Sequence, residues 1–146
     1  GSQGTPRKVA NAGVTSEGPR NASFNISAGA DHACAIIHGS SYCWGALGNG
    51  RLGNGGASGS ANTPQLVHKD ASNPALLGVN NAYKLAAGGS HTCAIANGKL
   101  TCWGRGDSGQ LAILGRSGVN NTTPQAAHPF YAQYGNSIDW SRAVRF

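Results

Sequence analysis

Four cysteines and five histidines stand in a chain of 146 residues. They are the side chains here best suited to bind a metal, form covalent bridges or move protons. Cys34, Cys43, Cys93 and Cys102 fall into two equally spaced pairs, and His32 and His91 precede the pairs by the same interval. Zinc modules cluster their cysteines as C-x-x-C, and that clustering is missing, so no metal set is expected. The acidic residues Glu17, Asp31, Asp70, Asp107 and Asp139 are scattered along the chain. There is no paired-carboxylate signature, no Gly-x-Ser-x-Gly elbow and no phosphate loop leading into a helix. We therefore expect no catalytic residue and no cofactor. Arg105-Gly106-Asp107-Ser108 has the form of a cell-adhesion tripeptide followed by serine. Gly and Asp are also ordinary turn residues, and a turn is the expected reading after Trp103-Gly104.

The cysteine pairs need hairpins to position them. Asn97-Gly98 is a strong signal for a two-residue loop. With that loop Ala96 faces Lys99, Ile95 faces Leu100, Ala94 faces Thr101 and Cys93 faces Cys102. Counting outward places the cysteines at a non-hydrogen-bonded pair, where Cα atoms of an antiparallel ladder lie about 4.5 Å apart. A loop at His38-Gly39 sets Cys34 opposite Cys43 in the same way. Disulfides Cys34–Cys43 and Cys93–Cys102 are expected, each closing a short loop worth at most about 2.5 kcal/mol. Persistent bridges imply an oxidising compartment, hence an extracellular or cell-surface protein.

The two hairpins belong to an internal repeat. At an offset of 59, Ala28–Leu52 falls on Ala87–Leu111 with 12 of 25 positions identical. Thr5-Pro6, Thr63-Pro64 and Thr123-Pro124 recur with the repeat. A period of this size marks a solenoid or propeller. Each unit accommodates four short strands: Asn25–Ala28 or Tyr83–Ala87, Ala33–Ile37 or Thr92–Ala96, Ser41–Trp44 or Leu100–Trp103, and Gln65–Val67 or Gln125–Ala127. Proline is expected at the start of the fourth strand, on an outer edge where no ladder donor is needed. Lys8-Val9 fits an outer strand of an earlier unit. The expected division is 1–24 as that strand and a linker, 25–82 as the first unit, 83–128 as the second and 129–146 as a tail.

The pattern AGxxHxCAIxxGxxxCWGxxxxGxL followed by Thr-Pro resembles the regulator of chromosome condensation repeat. That resemblance implies an all-β fold of β-propeller blades, two four-stranded antiparallel units per chain. It further implies that His32 and His91 are structural hydrogen-bonding residues and that Trp44 and Trp103 pack the blades. The cysteine pair is similar to that of exported bacterial members. The first unit keeps the family's Gly-rich corner as Gly48–Gly55, whereas the second has Gly109–Gly115 as GQLAILG and is expected to turn by another path. Nothing resembles the surface on which the founding member acts as a nucleotide exchanger.

Closed propellers hold about four to eight blades, so two require neighbours. A ring completed by oligomerisation, with a homotrimer preferred, is one expectation. The opening Gly1-Ser2 reads as an added dipeptide, so the lack of a signal peptide is uninformative. The net charge of +6 is spread evenly, without a basic block, which disfavours a nucleic-acid partner. No run approaches the roughly 18 apolar residues of a spanning helix, so no membrane insertion is expected. The tail carries five of the ten aromatics. Tyr131, Tyr134, Trp140 and Arg142 there are candidate binding residues, although docking of the tail as a cap explains them too. The sum is a non-catalytic extracellular binding module: a surface or fibre-tip adhesin for a glycan or surface protein, or alternatively a secreted interaction factor such as an enzyme inhibitor.

Overall fold

A computed structural model describes residues 25–37, 39–67, 82–96, 98–113 and 118–126. The expected outer strand in 1–24 and the tail 129–146 lie outside these residues. The chain forms two four-stranded antiparallel sheets, each a meander in sequence order. The first holds β1 (Asn25–Ala28), β2 (His32–Ile37), β3 (Ser40–Ala46) and β4 (Ser60–Leu66). The second holds β5 (Ala82–Ala87), β6 (His91–Ala96), β7 (Lys99–Gly104) and β8 (Asn121–Ala126).

Both hairpins have the register set by a two-residue loop. Ile37 faces Ser40 and Cys34 faces Cys43 in the first, and Ala96 faces Lys99 and Cys93 faces Cys102 in the second. Alternation then carries each cysteine to the rung opposite its partner, and both disulfides form with Cα atoms 4.1 Å apart. The short spacing is that of a non-hydrogen-bonded pair.

The fourth strands depart from expectation. They begin upstream of Thr-Pro, and the proline lies inside the strand. Cys43 faces Gln65 but Gly45 faces Ala61, so Asn62, Thr63 and Pro64 all lie opposite Trp44. The second sheet repeats this, with Thr122, Thr123 and Pro124 opposite Trp103. Proline lacks an amide hydrogen, and a bulge is where a ladder can spare one. Thr-Pro therefore marks a bulge beside each tryptophan.

The core lies between the sheets. Cys34, Ile36 and Cys43 face Leu85, Ala94 and Trp103, all at most 3% exposed. Alanines on the receiving sheet let the backbones approach while Trp103 fills the remaining volume. The 3-10 turn Gly48–Gly50 and the loop after it reach over from the first sheet, adding Leu52 to the same cluster, and Val67, directly after β4, joins it.

Candidate functional site

The residues singled out as chemical candidates converge on the junction between the sheets. His32 is 4% exposed, and its Nε2 shares a hydrogen bond of 2.8 Å with Thr92 Oγ1 across the junction. Burial above all, then the Arg51 guanidinium and His91, lower its pKa from 6.5 to about 4. The ring is therefore neutral at pH 7. Gly29 lies against this ring, and a Cβ there would run into it; Gly88 stands in the same relation to His91. Each His thus lies against the glycine of its own Gly-x-x-His turn.

Two side chains of β1 tie down the exposed edge of β5. Asn25 Oδ1 accepts from the Leu85 amide at 3.0 Å, and Ser27 Oγ accepts from the Ala87 amide at 2.9 Å. These alternate amides point away from β6, and the first sheet caps them like an additional half-strand. At the other end, Trp103 is fully buried and its indole N–H donates to the Arg51 carbonyl at 3.0 Å. The Arg51 side chain is held by the Gly48 carbonyl at 2.7 Å and by Asp31 at 3.4 Å. Gly53 has φ +65°, and a Cβ there would lie 2.7 Å from Trp103 Nε1. Glycine is required at this point for both the turn and the approach.

From Gly109 to Ala112 the second corner follows the first, while Ser108 lacks the left-handed conformation that its counterpart Asn49 adopts at φ 63°. Gly53 N–H donates to the Gly50 carbonyl at 3.0 Å, and Ala112 N–H to the Gly109 carbonyl at 3.0 Å. Ala112 adopts the left-handed conformation at φ 52°. Residues 114–117 lie outside the described set. The alanine is tolerated because it is exposed, with no tryptophan against its Cβ among the described residues.

The adhesion-like tripeptide is a closed turn. Gly104 has φ +98° and turns the chain out of β7, where a Cβ would lie 2.6 Å from the Ser90 carbonyl. Arg105 then pairs with Asp107 through Nε and Nη2, both at 2.7 Å from Oδ2. Asp107 Oδ1 accepts from Gln110 and Ser108 at 3.3 Å. The Arg105 bond, followed by Gln110, lowers the carboxyl below its usual pKa. Arginine and aspartate pair with each other on an exposed turn, their side chains 51% and 42% accessible. Tyr131, Tyr134, Trp140 and Arg142 fall outside the described residues. Asn25, Ser27, Arg51 and Thr92 escaped the sequence reading, because only the facing sheet reveals their use.

Stacked four-stranded meanders tied edge to face define the β-propeller class. Residues 38–95 match the family model of the regulator of chromosome condensation (RCC1) repeat, running from one hairpin turn to the other hairpin. The chain is 38% identical over 98 residues to mouse RCC1 domain-containing protein 1, covering 66% of this chain and 24% of that protein. Human WBSCR16 superposes with a TM-score of 0.58 at 23% identity, over 71% of this chain and 25% of that one. Prp20p from Saccharomyces cerevisiae, described with its binding properties to Gsp1p and histones, gives 0.59 at 22% identity, over 79% and 28%. Yeast RCC1 (Prp20), solved with Kap60 bound to it, gives 0.59 at 22% identity, over 79% and 27%. The chain carries a match to the RCC1 repeat over residues 38–95 and has the fold of the RCC1 propellers, and it spans about a quarter of the length of these relatives.

Proposed function

We infer that the chain serves as part of a non-catalytic, extracellular binding module, with propeller blades as scaffold and loops as contact surface. One observation carries this reading: the candidate chemical groups are consumed by architecture. The cysteines are bonded in pairs, His32 is neutral and clamped, and Asp107 is paired with Arg105. Two bridges at the same rung of successive blades support an oxidising compartment. A surface or fibre-tip adhesin recognising a glycan or surface protein is the setting we favour, since rigid blades with long Gly/Asn/Ser loops suit such contacts. The net charge of +6 favours an acidic partner.

A secreted protein-interaction factor is the second reading. It is favoured by the structural neighbours described with protein partners, Gsp1p, histones and Kap60. Like charge argues against histones as the partner here. A glycan array probed with the full chain, beside a pull-down from extracellular fluid, separates the two. Binding to acidic glycans is the expected outcome for the adhesin. Silence on the array with one saturable protein partner would replace it with the interaction factor, and binding to neither would end both.

A further inference from the structure

We propose that the seam joining β1 and its turn to the second sheet is an acid-sensitive latch, released when His32 is protonated while each disulfide-bonded hairpin stays intact. Four hydrogen bonds make the seam. Asn25 Oδ1 and Ser27 Oγ accept from the Leu85 and Ala87 amides, and the Ala30 amide donates to the Gly89 carbonyl at 3.1 Å. The fourth joins the His32 ring to Thr92 Oγ1. The amide, hydroxyl and backbone groups of the seam do not titrate at ordinary pH, so His32 is its acid-sensitive member.

The geometry dictates what acid does there. His32 Nδ1 is buried and has no hydrogen-bond partner among the described residues. A bare lone pair at that atom costs less than a buried N–H without an acceptor. The neutral ring therefore keeps its proton on Nε2 and donates it to Thr92, whose own hydroxyl hydrogen can point to Cys34 Sγ at 3.8 Å. Protonation adds a second N–H at Nδ1, with nothing to accept it, and a positive charge in a buried junction. Among the described residues, the ionisable groups acting on the ring are Arg51 from the corner, His91 from β6 and Asp31 from its own turn. Arg51 and His91 oppose the added charge. Asp31 favours it, but its side chain is 72% exposed and engaged with Arg51 at 3.4 Å. The charged ring is thus better placed in water, which it reaches when the seam parts. Burial lowers the pKa of the closed state from 6.5 to about 4, so the latch responds between those values.

Native-state amide exchange of the full chain at pH 7 and pH 5, corrected for intrinsic rates, tests this. Protection of the Leu85 and Ala87 amides is expected to fall by about tenfold or more, because their acceptors sit on the seam. The rungs Ala35–Tyr42 and Ala94–Thr101 lie inside the two hairpins and open only when the chain unfolds. At pH 5 the seam amides should therefore exchange at least about tenfold faster than those of the rungs. His32→Gln keeps a donor for Thr92 and cannot titrate, so its seam should be equally protected at both pH values. A seam unchanged by acid overturns the proposal, as does a seam that exchanges no faster than the rungs at pH 5. So does a folded His32→Gln protein whose seam still loosens in acid. Should that variant fail to fold, Asp31→Asn and His91→Gln decide. Both must retain the acid loss at Leu85 and Ala87, and disappearance of the response in either overturns the proposal.

Discussion

Trp44 and Trp103 occupy the same place in two copies of one motif, each opposite a Thr-Pro bulge, yet their surroundings differ. Trp103 is sealed under the corner of the preceding sheet and donates to the Arg51 carbonyl, while Trp44 is half-buried on an open face. The same holds for the two histidines, one bonded to Thr92 and the other on the face leading away from the junction. In a stacked architecture a motif residue acquires its role from the neighbouring unit. Identical residues therefore differ in energy according to what lies across from them.

The sharpest way to break this comparison is to truncate both tryptophans. Trp103→Ala should cost about 3–5 kcal/mol in urea denaturation, since it empties a buried site and orphans a carbonyl. Trp44→Ala should cost less than about 1 kcal/mol. Equal losses would show that the two faces are equally covered. Next in size is the corner: Gly53→Ala should destabilise by about 2 kcal/mol through left-handed strain and contact with Trp103. Ala112→Gly should stabilise by about 0.5–1 kcal/mol, because it relieves the same backbone strain at an exposed residue.

The histidine pair offers a pH test. The folded pKa of His32 is depressed from 6.5 to about 4, so between these values the unfolded chain binds the proton and the folded chain does not. Stability is full above about 6.5 and falls as pH drops toward about 4. His32→Gln should flatten that slope in pH-resolved denaturation curves, while His91→Gln should leave most of it. The smallest expected effect concerns the bridges. Cys34 and Cys43 are fully buried at the junction, whereas Cys93 is partly accessible on the outer side of the second sheet. Timed alkylation after mild reductant should label Cys93 and Cys102 first, since exchange requires access to sulfur. Simultaneous labelling would mean that the junction opens as readily as the outer face.

Much of the fold was legible because its rules are local. A two-residue loop dictates which residues face each other, so the cysteine pairing followed from counting outward from Asn97-Gly98 and His38-Gly39. The fourth strands were harder: Ser60, Ala61 and Asn121 carry no strand signal, and their pairing to Ala46, Gly45 and Gly104 is apparent only across the sheet. Proline was placed at a strand start because the bulge that accommodates it belongs to the partner strand's geometry. The second corner looked different because Ala replaced Gly, although the turn itself tolerates Ala112, which is exposed. The repeated histidine was recognisable from its repetition, but its hydrogen-bond partner Thr92 has Ala33 as its counterpart and so left no repeated trace. Asn25 and Ser27 were invisible for the same reason, since Lys84 and Ala86 stand at the matching positions.

The bridges have a consequence for how such a chain is made. Each joins residues 9 apart within one hairpin. Four cysteines permit three pairings, and the native one is also the nearest in sequence. A hairpin can thus be covalently completed before later units have folded, without scrambled intermediates to sort out. Units can be gained or lost by duplication and deletion without rewriting any bond elsewhere, which leaves the number of blades free to evolve.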